Sequence, residues 1–372
     1  MNTILILGTG NAQVDLIEYC KQRGFTVCTC SNANGDPGQA LSDNFELIDI
    51  SDVPKVIELA TRCKADLVYS VGSDVAMPTA CAVSEALSLP HFVSSKTALL
   101  CNVKSEFRAF LGMDFEGNLP FQVMADANTP ILLDYPLIMK PVDSQGQRGV
   151  RTVTSHESFL STFAESMAFS RSGRVILEEL IDGPEVSVNT YSVDGRIVFF
   201  VLSDRLIWAD YPGGLIREHV VPSIVATPKA CELIYDLVAR VLQKLKILNG
   251  PAYFQIKLRG DEPRLIEVTP RLDGCHMWRL LKYYTGIDLL DLTVRHLTGS
   301  PPQLESVQAT PGTGGLSLGF FCEPPGTLFD PAKHELNDSL WLRWYYQKGD
   351  KVKRVNGLLE KCGYHISRLQ IP

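Results

Sequence analysis

The stretch that decides the fold runs from Tyr135-Pro136-Leu137-Ile138-Met139-Lys140-Pro141 into Val142-Asp143-Ser144-Gln145-Gly146-Gln147-Arg148-Gly149-Val150. An apolar strand carries a lysine at its end, a loop with two glycines follows, and a second strand begins. Glycine permits close backbone approach and lets successive N–H groups turn toward an anion, so the loop suits phosphate; Gln147 and Arg148 add donors at its tip. No helix follows at once and the Gly-Lys-Ser/Thr ending is missing, which excludes a Walker-type loop. Upstream, Lys104 lies on a helix predicted over 96–111. Two lysines, as flexible point charges with three donors each, are a sensible way to hold a polyphosphate. Downstream, Glu178-Glu179-Leu180-Ile181-Asp182-Gly183-Pro184-Glu185 ends a strand in a Gly-Pro turn, where backbone groups are left outside the ladder. Gln255 and Glu267 then fall on strands predicted over 251–258 and 264–268, joined by a short turn. Such a hairpin brings one oxygen from each to a hard cation, and Thr269-Pro270-Arg271 follows directly.

Residues 1 to about 92 alternate strand and helix signals, at 3–7, 12–22, 25–30, 45–49, 53–62, 66–70 and 77–87. That rhythm predicts a parallel sheet with crossover helices. Its first turn, Gly8-Thr9-Gly10-Asn11-Ala12-Gln13, opens like a dinucleotide fingerprint, but Gln13 replaces the third glycine. Cys28-Thr29-Cys30-Ser31-Asn32 offers no acidic ribose ligand either, so a dehydrogenase is disfavoured. Beyond the loop, Ser155 is expected to cap a helix reaching about Phe169 as an ordinary cap, with Ser158 at the third position. Strands are predicted over 175–178, 187–191 and 196–202. Thr227 and Pro228 open a long helix with a stripe of Leu233, Leu237, Val241 and Leu245. Helices over 277–284 and 288–297 follow, and residues 316–372 read as short strands with turns.

At about 150 residues per domain, 372 residues suggest two or three domains. The formal charge of -7, from 35 Lys and Arg against 42 Asp and Glu, gives no basic field for nucleic acid. No apolar run approaches a membrane span, and Met1-Asn2-Thr3 lacks the basic start of a signal peptide, so a cytoplasmic protein without membrane partners is expected. The ten cysteines then read as reduced, mostly buried thiols, and Cys28 with Cys30 lacks the second pair that a zinc site needs.

In their order, Lys104, Lys140, the glycine loop, Glu178 to Glu185, the Gln255/Glu267 pair and Arg271 resemble the signature of the ATP-grasp superfamily over residues 1 to about 298. The metal pair is similar to the carbamoyl phosphate synthetase type. The resemblance implies an α/β protein: a Rossmann-like parallel sheet domain (1–95), an ATP-grasp domain of two α+β subdomains clasping ATP (96–300, divided into about 115–178 and 179–300), and a small β-rich C-terminal domain (301–372). It implies that Lys104 and Lys140 contact nucleotide phosphates along with Ser144, Gly146, Gln147 and Gly149. The Glu179 carbonyl and Ile181 amide would bind the adenine edge, with Glu178 nearby, and Glu185 the ribose hydroxyls. Gln255 and Glu267 would hold Mg2+, or Mn2+ in its place. Thr269 stands where the family commonly has Asn, keeping an oxygen on a shorter side chain. Arg271 matches the arginine that neutralises the transferring phosphoryl or acyl phosphate. Residues 272–276 would line the acceptor pocket, with His276 a functional candidate, Arg217 and His219 facing it from the other side, and Arg148 arriving on loop closure. Trp208 and Trp278 read as packing residues.

The implied chemistry is ligation of a small-molecule carboxylate to a small-molecule amine through an acyl phosphate, forming an amide or peptide-like bond with release of ADP and phosphate. Cys275 has no nucleophilic role in it, and no biotin-attachment Met-Lys-Met is present. A homodimer through the N-terminal sheet domain is a further family expectation. The alternatives are a bicarbonate-activating, carboxylase-like enzyme and a non-catalytic ATP-binding regulatory protein, the latter motivated by Thr269.

Overall fold

Strands β1 (Thr3–Leu7), β2 (Thr26–Ser31), β3 (Asn44–Leu47) and β4 (Leu67–Tyr69) pair in parallel in the order β3-β2-β1-β4 in the computed structural model. It describes residues 3–144, 148–208, 211, 214–303, 314–335, 338–355 and 357–369. Helices α1 (Asn11–Gln22), α2 (Pro37–Leu41) and α3 (Val53–Arg62) connect these strands, and α4 (Ala76–Ala86) follows them. Ile4 to Leu7 are fully buried, as a parallel strand covered on both faces requires. The Gln13 side chain turns into its own glycine turn and donates from Nε2 to the Val71 carbonyl at 2.5 Å. All ten cysteines are free thiols.

The helix expected over 96–111 is two helices, α5 (Ser95–Asn102) and α6 (Lys104–Leu111), broken at Val103, whose ψ of 100° is extended. The break lets the Lys104 N–H donate to the Val142 carbonyl at 3.0 Å and sets Lys104 on the first turn of α6. Apolar spacing hides it, because Ala98, Cys101, Phe107 and Leu111 all remain buried in one core.

A second sheet, ordered β5-β8-β6-β7, contains β5 (Phe121–Met124), β6 (Leu137–Pro141), β7 (Arg151–Val153) and β8 (Val175–Glu179). Helix α7 (His156–Ala168) covers it, with Phe159 and Phe163 in a core with Met139 and Leu177. Its start corrects the expectation of an ordinary cap. Ser155 Oγ accepts from the Ser158 N–H at 3.2 Å, and Ser158 Oγ accepts from the Ser155 N–H at 3.0 Å. Serine is long enough to close this reciprocal box in place of Glu.

The largest sheet has eight strands in the order β13-β12-β9-β10-β11-β14-β16-β15. These are β9 (Glu185–Val193), β10 (Arg196–Ile207), β11 (Ile216–Val221), β12 (Gly250–Arg259), β13 (Glu262–Thr269), β14 (Leu316–Glu323), β15 (Ser339–Trp344) and β16 (Glu360–Arg368). Period-two alternation splits it into two faces. Val186, Val188, Leu202, Phe254, Ile256 and Val268 share a core with Ile234, Leu237, Val238 and Val241 of α8 (Pro228–Leu245). Thr227 caps α8, accepting from the Ala230 N–H at 3.1 Å. The alternate residues, Glu185, Ser187, Asn189, Arg205, Tyr253, Gln255, Glu267 and Thr269, make a polar face. Helices α9 (Met277–Thr285) and α10 (Leu289–Leu297) follow β13. The β-rich segment after residue 314 extends this same sheet, through pairing of Glu218–Val221 with Leu316–Gly319, so the ladder runs unbroken across the boundary expected near 300.

Candidate active site

Lys140 leaves β6 beside β8, and its Nζ donates to Glu178 Oε2 at 2.6 Å. The other oxygen of Glu178 accepts from Arg108 Nε of α6 at 2.7 Å. Burial alone would raise the Glu178 carboxyl, but Arg108 and Lys140 together hold it at about 2. Glu178 is therefore a fixed anion that orients Lys140. Arg108 also donates to Asn118 Oδ1 and the Ile266 carbonyl, both at 3.1 Å, tying β13 to the lysine site. Sequence reading missed Arg108, because a lone arginine on an amphipathic helix looks like surface.

Lys104 Nζ donates to the Ser144 carbonyl at 2.8 Å, so this lysine grips the start of the glycine loop. Gly146 and Gln147 lie outside the described residues. Gly149 has φ of +73°, and a Cβ there would stand 2.9 Å from Pro141 and 3.0 Å from Phe169, so packing demands this glycine whatever the loop binds. Arg148, beside it, is exposed.

In the linker, the Glu179 N–H donates to the Pro120 carbonyl at 3.3 Å, and the Glu179 carboxylate pairs with Arg259. Lys257 Nζ lies on the carbonyls of Ile181, at 3.1 Å, and Gly183, at 3.3 Å. Lys257 was not legible as a linker clamp, since only the pairing of β12 with β9 places it opposite Glu185. Glu185 accepts from Arg205 Nη1 at 2.7 Å and from Gln255 Nε2.

Gln255 and Glu267 stand directly opposite each other on β12 and β13, as do Tyr253 and Thr269. Glu267 makes no hydrogen bond among the described residues. Burial and then Asp74 push its carboxyl up, against Lys104, Arg271 and Lys140, which favour its ionised form. Thr269 Oγ1 is buried without a hydrogen-bond partner. A carboxylate, an amide and a hydroxyl with unspent oxygen lone pairs fit a hard divalent ion that completes its shell with phosphate oxygens.

Arg271 is buried and donates from Nε to Asp74 Oδ1 at 2.8 Å, and from Nη1 to the Leu272 carbonyl at 2.9 Å. Asp74 comes from the N-terminal unit, just past the carboxyl end of β4. The contact depends on a glycine pair: Gly72, at φ +66°, lies so near Gly274 that a Cβ on it would stand 2.8 Å from the Gly274 Cα. One signal for Asp74 was available, its place beyond the carboxyl end of a parallel strand, where such sheets bind ligands.

Lys104, Lys140, Glu267 and Arg271 thus share one electrostatic environment, with Asp74 among them. Two candidates stand apart. Arg217 is exposed, 4.0 Å from Glu218. His276 is buried with both ring nitrogens engaged, Nδ1 on Asp15 Oδ2 at 2.9 Å and Nε2 on the Tyr345 hydroxyl at 2.8 Å, and its ring stacks on Tyr364. These contacts join it to α1 and the C-terminal strands instead of leaving it open to an acceptor.

Residues 133–278 match the model of the ATP-grasp domain. The chain is 24% identical over 296 residues, 72% of its length and 67% of the relative's, to the phosphoribosylamine–glycine ligase of Thermococcus kodakarensis. The chain carries an ATP-grasp domain over residues 133–278. The chain is also 30% identical over 157 residues, 38% of its length and 27% of the relative's, to the ATP-grasp enzyme fsqD of Aspergillus fumigatus. Its fold superposes on the L-amino acid ligase of Bacillus licheniformis with a TM-score of 0.82 at 18% identity, covering 99% of this chain and 93% of that one. No helix among its described residues is long and apolar enough to cross a membrane.

Proposed function

We propose that this ATP-grasp protein, an ADP-forming carbon–nitrogen ligase, transfers the γ-phosphoryl group of ATP to a substrate carboxylate and then joins the acyl phosphate to an amine. The observation that carries the reading is that Lys104, Arg271 and Lys140, from three separate stretches of the chain, all act on the Glu267 carboxyl, cations for phosphate beside a carboxylate for a metal. In the first step a carboxylate oxygen attacks the γ-phosphorus and the bond to the β-phosphate oxygen breaks, releasing ADP. In the second the amine nitrogen attacks the acyl carbon, the C–O bond to phosphate breaks, and the nitrogen loses a proton. Lys140, aimed by Glu178, and Lys104, on the loop carbonyl, hold the polyphosphate. Arg271, fixed by Asp74, faces the charge that grows on the transferred group. Gln255, Glu267 and Thr269 would hold Mg2+, which supplies charge neutralisation of the polyphosphate. The names of two similar proteins, a phosphoribosylamine–glycine ligase and an L-amino acid ligase, support carboxylate and amine substrates.

ADP release by the wild type and Glu267→Ala, with Mg2+ and ATP, across pooled carboxylates each combined with pooled amines or ammonia, tests this. Release should require both partners and fall by about a hundredfold or more in the variant. Release with bicarbonate alone would favour a carboxylase-like reaction, and tight ATP binding without release in any pool would contradict ligation.

A further inference from the structure

Among the described residues, eleven buried side-chain nitrogen and oxygen atoms have no hydrogen-bond partner, and four of them belong to three neighbouring residues: Arg205 Nε, His219 Nδ1, His219 Nε2 and Asp273 Oδ2. Buried polar atoms are nearly always paired, so such a concentration marks groups held ready for something else. Arg205 and His219 are cross-strand neighbours on β10 and β11. A ring nitrogen of His219, a carboxylate oxygen of Asp273 and Cys275 Sγ lie within 4.8 Å of one another. Lys361, from β16, closes the group with Nζ 3.5 Å from Cys275 Sγ. His219 is fully buried, and Arg205 and Asp273 are each 6% exposed.

A histidine, a carboxylate and a thiol at this spacing are also a metal-ligand set. The charges argue against a metal ion. Burial, then Arg205 and Lys361, depress the His219 imidazole, so the three ligands already face an arginine and a lysine. What the enclosure offers is an excess of donors, from Arg205 Nε, Lys361 Nζ and one nitrogen of a neutral His219, with a single acceptor carboxylate on Asp273. Arg205 is already paired with Glu185, which leaves Lys361 as the cation to be answered. A phosphate dianion would meet Asp273 as a like charge. A carboxylate set a few bonds from an ammonium satisfies both ends.

We propose that this pocket binds the amine substrate through a carboxylate of its own: the substrate is a small amino acid, its carboxylate on Lys361, Arg205 and His219 and its ammonium on Asp273. The proposal rests on the ligase reading and deepens it. Asp273 follows Arg271 by two residues, so the amine end would be delivered beside the activated carboxyl, and Lys361 makes the C-terminal strands a specificity element.

Calorimetric titration of the full-length protein with proteinogenic amino acids and β-alanine, and separately with acetate, ethylamine, inorganic phosphate and zinc chloride, tests it without turnover. One or more amino acids should bind, with acetate and ethylamine at least about tenfold weaker, and both Lys361→Met and Asp273→Asn should weaken binding by about tenfold or more while ATP affinity and melting temperature hold. No amino acid binding, binding unchanged in both variants, phosphate binding alone, or zinc at one per chain lost in Cys275→Ser would each overturn the pocket. Amino-acid binding without ADP release would leave the pocket standing and sink the ligase reading. ADP release with ammonia or ethylamine as efficient as with any amino acid would do the reverse.

Discussion

The segment from Asp273 to His276 ends in two buried polar clusters built in opposite ways. Asp15 of α1, with which His276 pairs, also accepts from Trp278 Nε1 at 2.9 Å, Arg279 Nη2 at 2.7 Å and Arg343 Nη1 at 2.8 Å. Burial works against its charge, but His276 and Arg279 hold the Asp15 carboxyl far below the ordinary range. Its lone pairs are spent on joining the N-terminal sheet unit to α9 and β15. Around Asp273 the same residue types stay unspent, with an unpartnered carboxylate oxygen and both nitrogens of His219 buried and unbonded. His276 stands at φ of +58°, the left-handed turn that separates the two directions. The difference teaches that residue type does not tell a structural histidine from a ligand-binding one. The balance of hydrogen bonds does.

That comparison can be broken first at Asp15. Asp15→Ala leaves Arg279 without its carboxylate and His276 and Trp278 without an acceptor, while Arg343 keeps Glu18, and urea unfolding should report a loss of about 3–5 kcal/mol. A loss under about 1 kcal/mol would mean the cluster does not hold the units together. The next effect is in acid, at Glu178. Its folded-state pKa of about 2 lies below the ordinary 4.5, so the unfolded chain takes up the proton first as pH falls. The contribution is complete above pH 4.5 and is lost on the way down to about 2. It is on the order of 3 kcal/mol, and Glu178→Gln should flatten that part of the stability–pH curve. An unchanged curve would show that Arg108 and Lys140 do not hold the charge. The smallest effect belongs to the pocket. His219→Leu removes two unsatisfied nitrogens, so stability should stay within about 1 kcal/mol of wild type or rise. A loss above about 2 kcal/mol would make His219 a structural residue like His276.

The parallel sheet was legible because its four strands and helices α1, α3 and α4 carry their own period and turn signals, whereas the five-residue α2 is too short to show one. The ATP-grasp order was legible because its motifs are short and ordered along the chain. Asp74, Arg108 and Lys361 were not, since each matters through a partner distant in sequence, Arg271, Glu178 and Cys275 respectively. The break at Val103 escaped because both helices bury the same face, and the joining of β14 to β11 escaped because strand pairing leaves no local mark.

The most direct test of the central claim follows an oxygen atom. With the carboxylate substrate labelled with heavy oxygen in both positions, and its amine partner and ATP present, one labelled oxygen should appear in inorganic phosphate for each amide bond formed, as breaking the C–O bond of an acyl phosphate requires. Amide formation with unlabelled phosphate would contradict the acyl phosphate route and the role assigned to Arg271.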